Sequence, residues 1–153
     1  MPSRREQIEM TDEEVHEFLA EMMVMQCATN GPRGLPHLVP LWFVSEGTDL
    51  ISWTYGKSQK AKNLERDPRA TIGLEEGVEY HELRGVTLEC DVELEHETER
   101  VEEVGLRLFE RYAGEVGPEL REMIAGQARK RAGMRFVASR VISWDHRKLG
   151  GAY

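Results

Sequence analysis

A chain of 153 residues, 40% of them hydrophobic, can bury a core without disulfide or metal staples, and one domain over residues 1–153 is the expectation. A formal net charge of −8 argues against DNA or RNA as a main partner, since that binding calls for a basic face touching many phosphates. Cys27 and Cys90 form no C-x-x-C pair, no secretory leader follows Met1, and no apolar stretch nears the roughly 20 residues that span a bilayer; a soluble, cytoplasmic protein with reduced thiols and no membrane partner is expected.

The first element is a helix opened by Thr11 and Glu14 as a capping box, with Val15, Phe18, Leu19 and Met22 recurring at helical spacing. Residues 23–29 and 36–44, separated by the breakers Asn30, Gly31, Pro32 and Gly34, then read as two or three strands joined by hairpin-length turns. Residues 50–54 form the next strand, Tyr55-Gly56 a turn, and Ser58 the N-cap of a short helix that ends before Asp67-Pro68. A strand follows over 70–74. Strict alternation of Val86, Leu88, Cys90, Val92 and Leu94 with Thr87, Glu89, Asp91, Glu93 and Glu95 predicts a half-buried antiparallel strand, extended upstream by 80–84 with Gly85 as a bulge or bend. Two helices come next, one on Val101, Val104, Leu108 and Tyr112, the other after Pro118 at N1. A last strand lies between Met134 and Trp144. About six strands and four helices, without βαβ alternation, predict an antiparallel α+β domain, mainly β, whose strands close a small barrel and so remove exposed edges.

Familiar catalytic patterns are missing. There is no G-x-S-x-G, and His16, His37, His81, His96 and His146 include no H-E-x-x-H, so these histidines read as surface or hydrogen-bonded groups. The row Glu89, Asp91, Glu93 and Glu95 reads as a solvated strand face. Two other features stand out. Between Lys57 and Arg69 five cations (Lys57, Lys60, Lys62, Arg66, Arg69) face two carboxylates (Glu65, Asp67), at a strand-to-helix turn where free N–H groups and the positive helix end favour a phosphate. A solvated basic helix face is the other reading. In the apolar strand before it, Pro36 and Pro40 remove amide donors, which marks an edge or a gap that a flat heterocycle would fill; Trp42 and Phe43 serve equally as core aromatics.

The stretches 28–31, 34–37, 40–43, 58–69, 85–89 and 143–145, above all the run Ser-x-Lys-x-x-Asn-Leu-x-x-Asp-Pro-Arg from Ser58, resemble the FMN-binding split β-barrel superfamily typified by pyridoxamine 5′-phosphate oxidase, and within it the F420-dependent oxidoreductase branch. The resemblance implies a six-stranded split β-barrel with flanking helices and hydride transfer between the deazaflavin F420, or alternatively FMN, and a small conjugated organic substrate. A non-catalytic flavin, F420 or haem binding and storage protein is the alternative. By the same resemblance Ser58 and Lys60 hold the cofactor phosphate with Thr54 beside them and Lys57 as helper, while Pro40, Leu41 and Trp42 line the ring, largely through backbone. The cofactor would lie at a homodimer interface, with Trp144 reaching it from the other subunit. Ser58-Gln59-Lys60 stands where B6 oxidases carry Ser-Arg-Lys, and Trp144-Asp145-His146 where they carry Trp-Arg-Leu, which turns the resemblance away from vitamin B6 chemistry.

Overall fold

The computed structural model describes residues 1–151. In chain order it contains α1 (Arg4–Ile8), α2 (Asp12–Glu21), β1 (Met25–Asn30), β2 (Pro36–Leu41), β3 (Val44–Glu46), β4 (Asp49–Tyr55), α3 (Gln59–Arg66), β5 (Arg69–Glu76), β6 (Arg84–Glu95), α4 (Thr98–Ala113), α5 (Pro118–Ala128) and β7 (Arg131–Asp145), with short 3-10 turns at Tyr80–Glu82 and His146–Leu149. The strands form one curled antiparallel sheet in the order β2-β1-β5-β6-β7-β4-β3, a half-barrel flanked by helices. Its concave side holds the core, where Phe18 and Leu19 of α2 meet Met25, Ile72, Leu88, Met134 and Phe136 from the strands.

The described residues hold seven strands rather than six, because 36–44 is two strands with a break at Trp42-Phe43. The break has a cause in α4. Tyr112 Oη accepts from the Phe43 N–H at 3.0 Å and Arg111 reaches the Phe43 carbonyl, so that peptide is tied to a helix instead of a strand neighbour. Residues 80–82 form a 3-10 turn rather than a strand extension, after Gly77 has turned the chain at φ 103°.

Gly85 is no bulge. It pairs in register with Glu75 and Trp144, and a Cβ there would meet the Trp144 ring and stand 2.6 Å from the Leu74 carbonyl, so glycine permits a close approach. The bulge lies further on. Glu89 pairs with Arg140 and Cys90 with Ala138, leaving Ser139 unpaired, with its hydroxyl donating to the Glu89 carbonyl at 3.0 Å. One extra residue reverses the inside-outside alternation: Ala132, Met134 and Phe136 are buried before it, Ser143 and Asp145 after it. Trp144 therefore stands on the convex face.

Candidate functional site

The expected strand-to-helix turn forms as the residues dictate. Gly56 donates its N–H to the Lys130 carbonyl at 2.8 Å, where a Cβ would stand 3.3 Å from that oxygen. Ser58 caps α3, its hydroxyl accepting from the Ala61 N–H at 3.1 Å. Much of the following motif then docks the helix. Asn63 donates to Thr29 Oγ1 of β1 at 3.0 Å, Arg66 reaches the Asn30 carbonyl, Asn30 donates to Asp67 at 2.8 Å, and Asp67 takes Arg69 at 2.8 Å. Lys57 and Lys62 remain exposed.

Lys60 is different. It is only 6% exposed, and its ammonium donates to Thr54 Oγ1 at 3.1 Å, the same hydroxyl that lies 3.1 Å from Ser58 Oγ. Thr54, Ser58 and Lys60 are thus one contiguous cluster. Burial pushes the Lys60 amine below its ordinary range, with Cys27 opposing and Arg131 adding to the shift; no carboxylate acts on it. Cys27 supplies no counter-charge at neutral pH, because burial holds its thiol up at about 11. The first turn of α3 carries no acidic residue either. A buried ammonium with three donors and one hydroxyl acceptor, at a capped helix end whose first turn holds no acidic residue, has the chemistry that suits an anion.

The space beside it comes from unpaired strand edges. β2 pairs only with β1, as its prolines require, and β4 pairs with β3 over Asp49–Ile51 but has no strand on that side at residues 52–55. Ser52 Oγ donates to the Trp42 carbonyl at 2.6 Å and fastens one end of this opening; two residues along the same face of β4, Thr54 meets Lys60 at the other. α3 bridges the opening through Asn63 to β1 and Lys60 to β4.

The remaining expected residues divide. Leu41 packs on the core edge and Pro40 is exposed, both on the free-edged strand. Trp42 contributes its backbone, whereas its indole, 46% exposed, stacks on Tyr112 with centroids 4.3 Å apart and planes 8° apart. None of the principal clefts is lined by both Trp42 and Lys60. Trp144 lies twelve residues along β7 from Ala132, the partner of Thr54, or about 40 Å of strand at ~3.3 Å per residue.

Sequence reasoning missed Arg129, Lys130 and Arg131. They join Lys57 and His96 around a cleft of about 510 Å³ that no carboxylate lines, and Arg131 is fixed over the Trp53 ring at 4.7 Å. The β4–β7 pairing of Tyr55 with Arg131 and the Gly56–Lys130 contact bring these distant residues to the turn, and no local pattern announces either. His37 is the other omission. Its Nδ1 is buried without a hydrogen-bond partner, contrary to the expectation for all five histidines, whereas His146 Nδ1 lies 2.8 Å from the Tyr80 carbonyl as expected. Among the described residues no cluster of His, Cys, Asp or Glu could hold a metal, and no helix is long and apolar enough to cross a membrane.

Comparison with known proteins agrees with this architecture. The chain is similar to the conserved hypothetical protein Rv2991 from Mycobacterium tuberculosis, with 40% identity over 99% of this chain and 95% of that one and a TM-score of 0.89. It shares its fold with an F420 reductase (19% identity, 82% and 94% of the two chains, TM-score 0.66) and with HutZ, the haem storage protein from Vibrio cholerae (20%, 86% and 93%, 0.66). No curated protein matches the chain. Residues 11–145 match the family model described as pyridoxamine 5′-phosphate oxidase, and with the curled antiparallel sheet and the docked Ser58–Arg69 segment in place, the chain belongs to the pyridoxamine 5′-phosphate oxidase-like family of split β-barrel proteins.

Proposed function

We propose that this protein is an oxidoreductase that binds the deazaflavin F420, or FMN in its place, with the cofactor phosphate on Ser58 and Lys60 and the ring in the opening between β2 and β4. The observation that carries this reading is the Lys60 ammonium, buried at a helix N-terminus with one hydroxyl acceptor and no carboxylate. The fold shared with an F420 reductase supports the choice of ligand class. When bound, such a ring supplies hydride transfer to or from a small conjugated substrate. The chain's own part is to bind and orient. Lys60 and Ser58 hold the anionic end, Thr54 steers the ammonium, and the free backbone edges of β2 and β4 offer donors and acceptors to the ring rim.

A second copy of the chain supplies the other wall in this reading. Trp144 cannot reach the turn within its own chain, yet the Ser139 bulge turns it to the convex face, the same side as Leu38, which is 63% exposed.

Purified apo-protein titrated with F420 and FMN, followed by absorbance and fluorescence, tests the reading. Saturable binding of either is expected. Lys60→Ala should weaken it by about 1.5–3 kcal/mol, roughly ten- to 150-fold, as for a charge-assisted hydrogen bond. An unchanged dissociation constant in that variant would remove Lys60 from the site, and binding with no turnover of any acceptor would make the protein a cofactor store.

A further inference from the structure

His37 lies on the inner face of β2, opposite Thr29 in register, with Val39 and Leu41 following on the same face. Its Nδ1 is the one buried side-chain nitrogen or oxygen without a hydrogen-bond partner among the described residues. Such an atom costs about 1–3 kcal/mol, and nothing in the packing of the free chain asks for it, since an aliphatic side chain would continue the apolar face. Thr29, its register partner, accepts from Asn63 at 3.0 Å and makes no hydrogen bond to the imidazole.

The imidazole borders a cavity of about 290 Å³ between the β1–β2 turn and the first turn of α3, which Arg33, Leu35, Pro36, Leu38 and Gln59 also line. Gln59 stands between Ser58 and Lys60 in the chain, so this cavity adjoins the anion site, and the Gln59 amide nitrogen is committed to Asn63 Oδ1 at 2.8 Å. No carboxylate lines it. Apolar walls, an arginine and an unpaired imidazole suit the acceptor-bearing edge of a flat heterocycle.

We propose that His37 is a ligand contact of this site, its Nδ1–H donating to a carbonyl oxygen on the rim of the bound ring. The inference rests on the cofactor reading above and deepens it: Lys60 recognises the phosphate, His37 the ring. The two roles separate by probe. Apo wild type, His37→Leu, His37→Asn, His37→Gln and Lys60→Ala are titrated with FMN, F420 and riboflavin, the last bearing a ring without phosphate, and thermal melts are run in parallel. His37→Leu should weaken all ligands five- to tenfold and by the same factor. Asn, whose Nδ2 stands close to the place of Nδ1, should restore most of the affinity, and Gln should not. Lys60→Ala should weaken FMN and F420 while leaving riboflavin unchanged. Without ligand, His37→Leu should melt higher than wild type, a gain in stability with a loss of binding that a merely structural histidine would not give. On adding FMN, the His37 Nδ1 resonance in ¹⁵N NMR should move.

If wild type binds the cofactors and His37→Leu binds them equally, the role of His37 falls while the cofactor reading stands. If wild type binds neither F420 nor FMN, both fall. A Soret band on haem addition that is lost in His37→Leu would assign the imidazole to iron and overturn the hydrogen-bond role.

Discussion

Lys60 is the residue at which stability and binding pull in opposite directions. Its ammonium is desolvated without an anion, so the folded chain holds that proton less tightly than the unfolded chain, whose lysine titrates near 10.5. The sign of the pH dependence follows. Between the lowered folded value and 10.5 the unfolded state binds more protons, so stability rises with pH through that window, and below it the full cost of the buried charge remains. Lys60→Met should therefore raise stability at neutral pH, by on the order of 1 kcal/mol, and flatten the rise at alkaline pH. Urea midpoints measured from pH 7 to pH 10 would show it; a variant less stable at pH 7 with an unchanged slope would contradict the account. Cys27 and Cys90 need no such test as nucleophiles, because burial holds their thiols up at about 11 and about 12.

At the scale of elements, closeness is decided by single glycines and by one helix end. The Trp144 ring lies across Gly85, so Gly85→Ala forces the indole off its strand. A cost of about 1–3 kcal/mol is expected, read as a lower melting temperature, and an unshifted melt would mean that the ring moves freely. What local pattern could predict is what local pattern controls. The alternation of β6, the Thr11–Glu14 box and the Ser58 cap are each satisfied within a few residues, and each formed as expected. Pro36 and Pro40 correctly marked a free edge. The break at Trp42-Phe43 was not legible because its cause, Arg111 and Tyr112, lies about 70 positions away. The same holds for the cations at 129–131 and for His37, whose missing partner is a property of three-dimensional surroundings that no spacing encodes.

For the molecule as a whole, an open seven-stranded sheet leaves β2 and β3 as edges and a convex face bearing the exposed Leu38. A second copy seated there would cover this face and bring its Trp144 toward the opening. Sedimentation should then report a dimer at micromolar concentration, and Leu38→Lys should shift it toward monomer and weaken cofactor binding together. A monomeric wild type that binds F420 or FMN with full affinity would contradict that assembly.

Ser139 acts as a phase switch in the longest strand. Upstream of it even-numbered side chains enter the core, and downstream odd-numbered ones do, among them Ser143, whose hydroxyl accepts from the Met10 N–H at 3.0 Å and moors the N-terminal helices. Deleting this one exposed residue would send Ser143 and Asp145 outward and turn Trp144 in against the core, so a change that removes almost no buried surface should unmoor the amino-terminal segment and disable the far end of β7. Replacing it by alanine, which keeps the count, should do neither. Limited proteolysis near Met10 would distinguish the two variants, and would show that the number of residues, more than their chemistry, governs which face this strand presents.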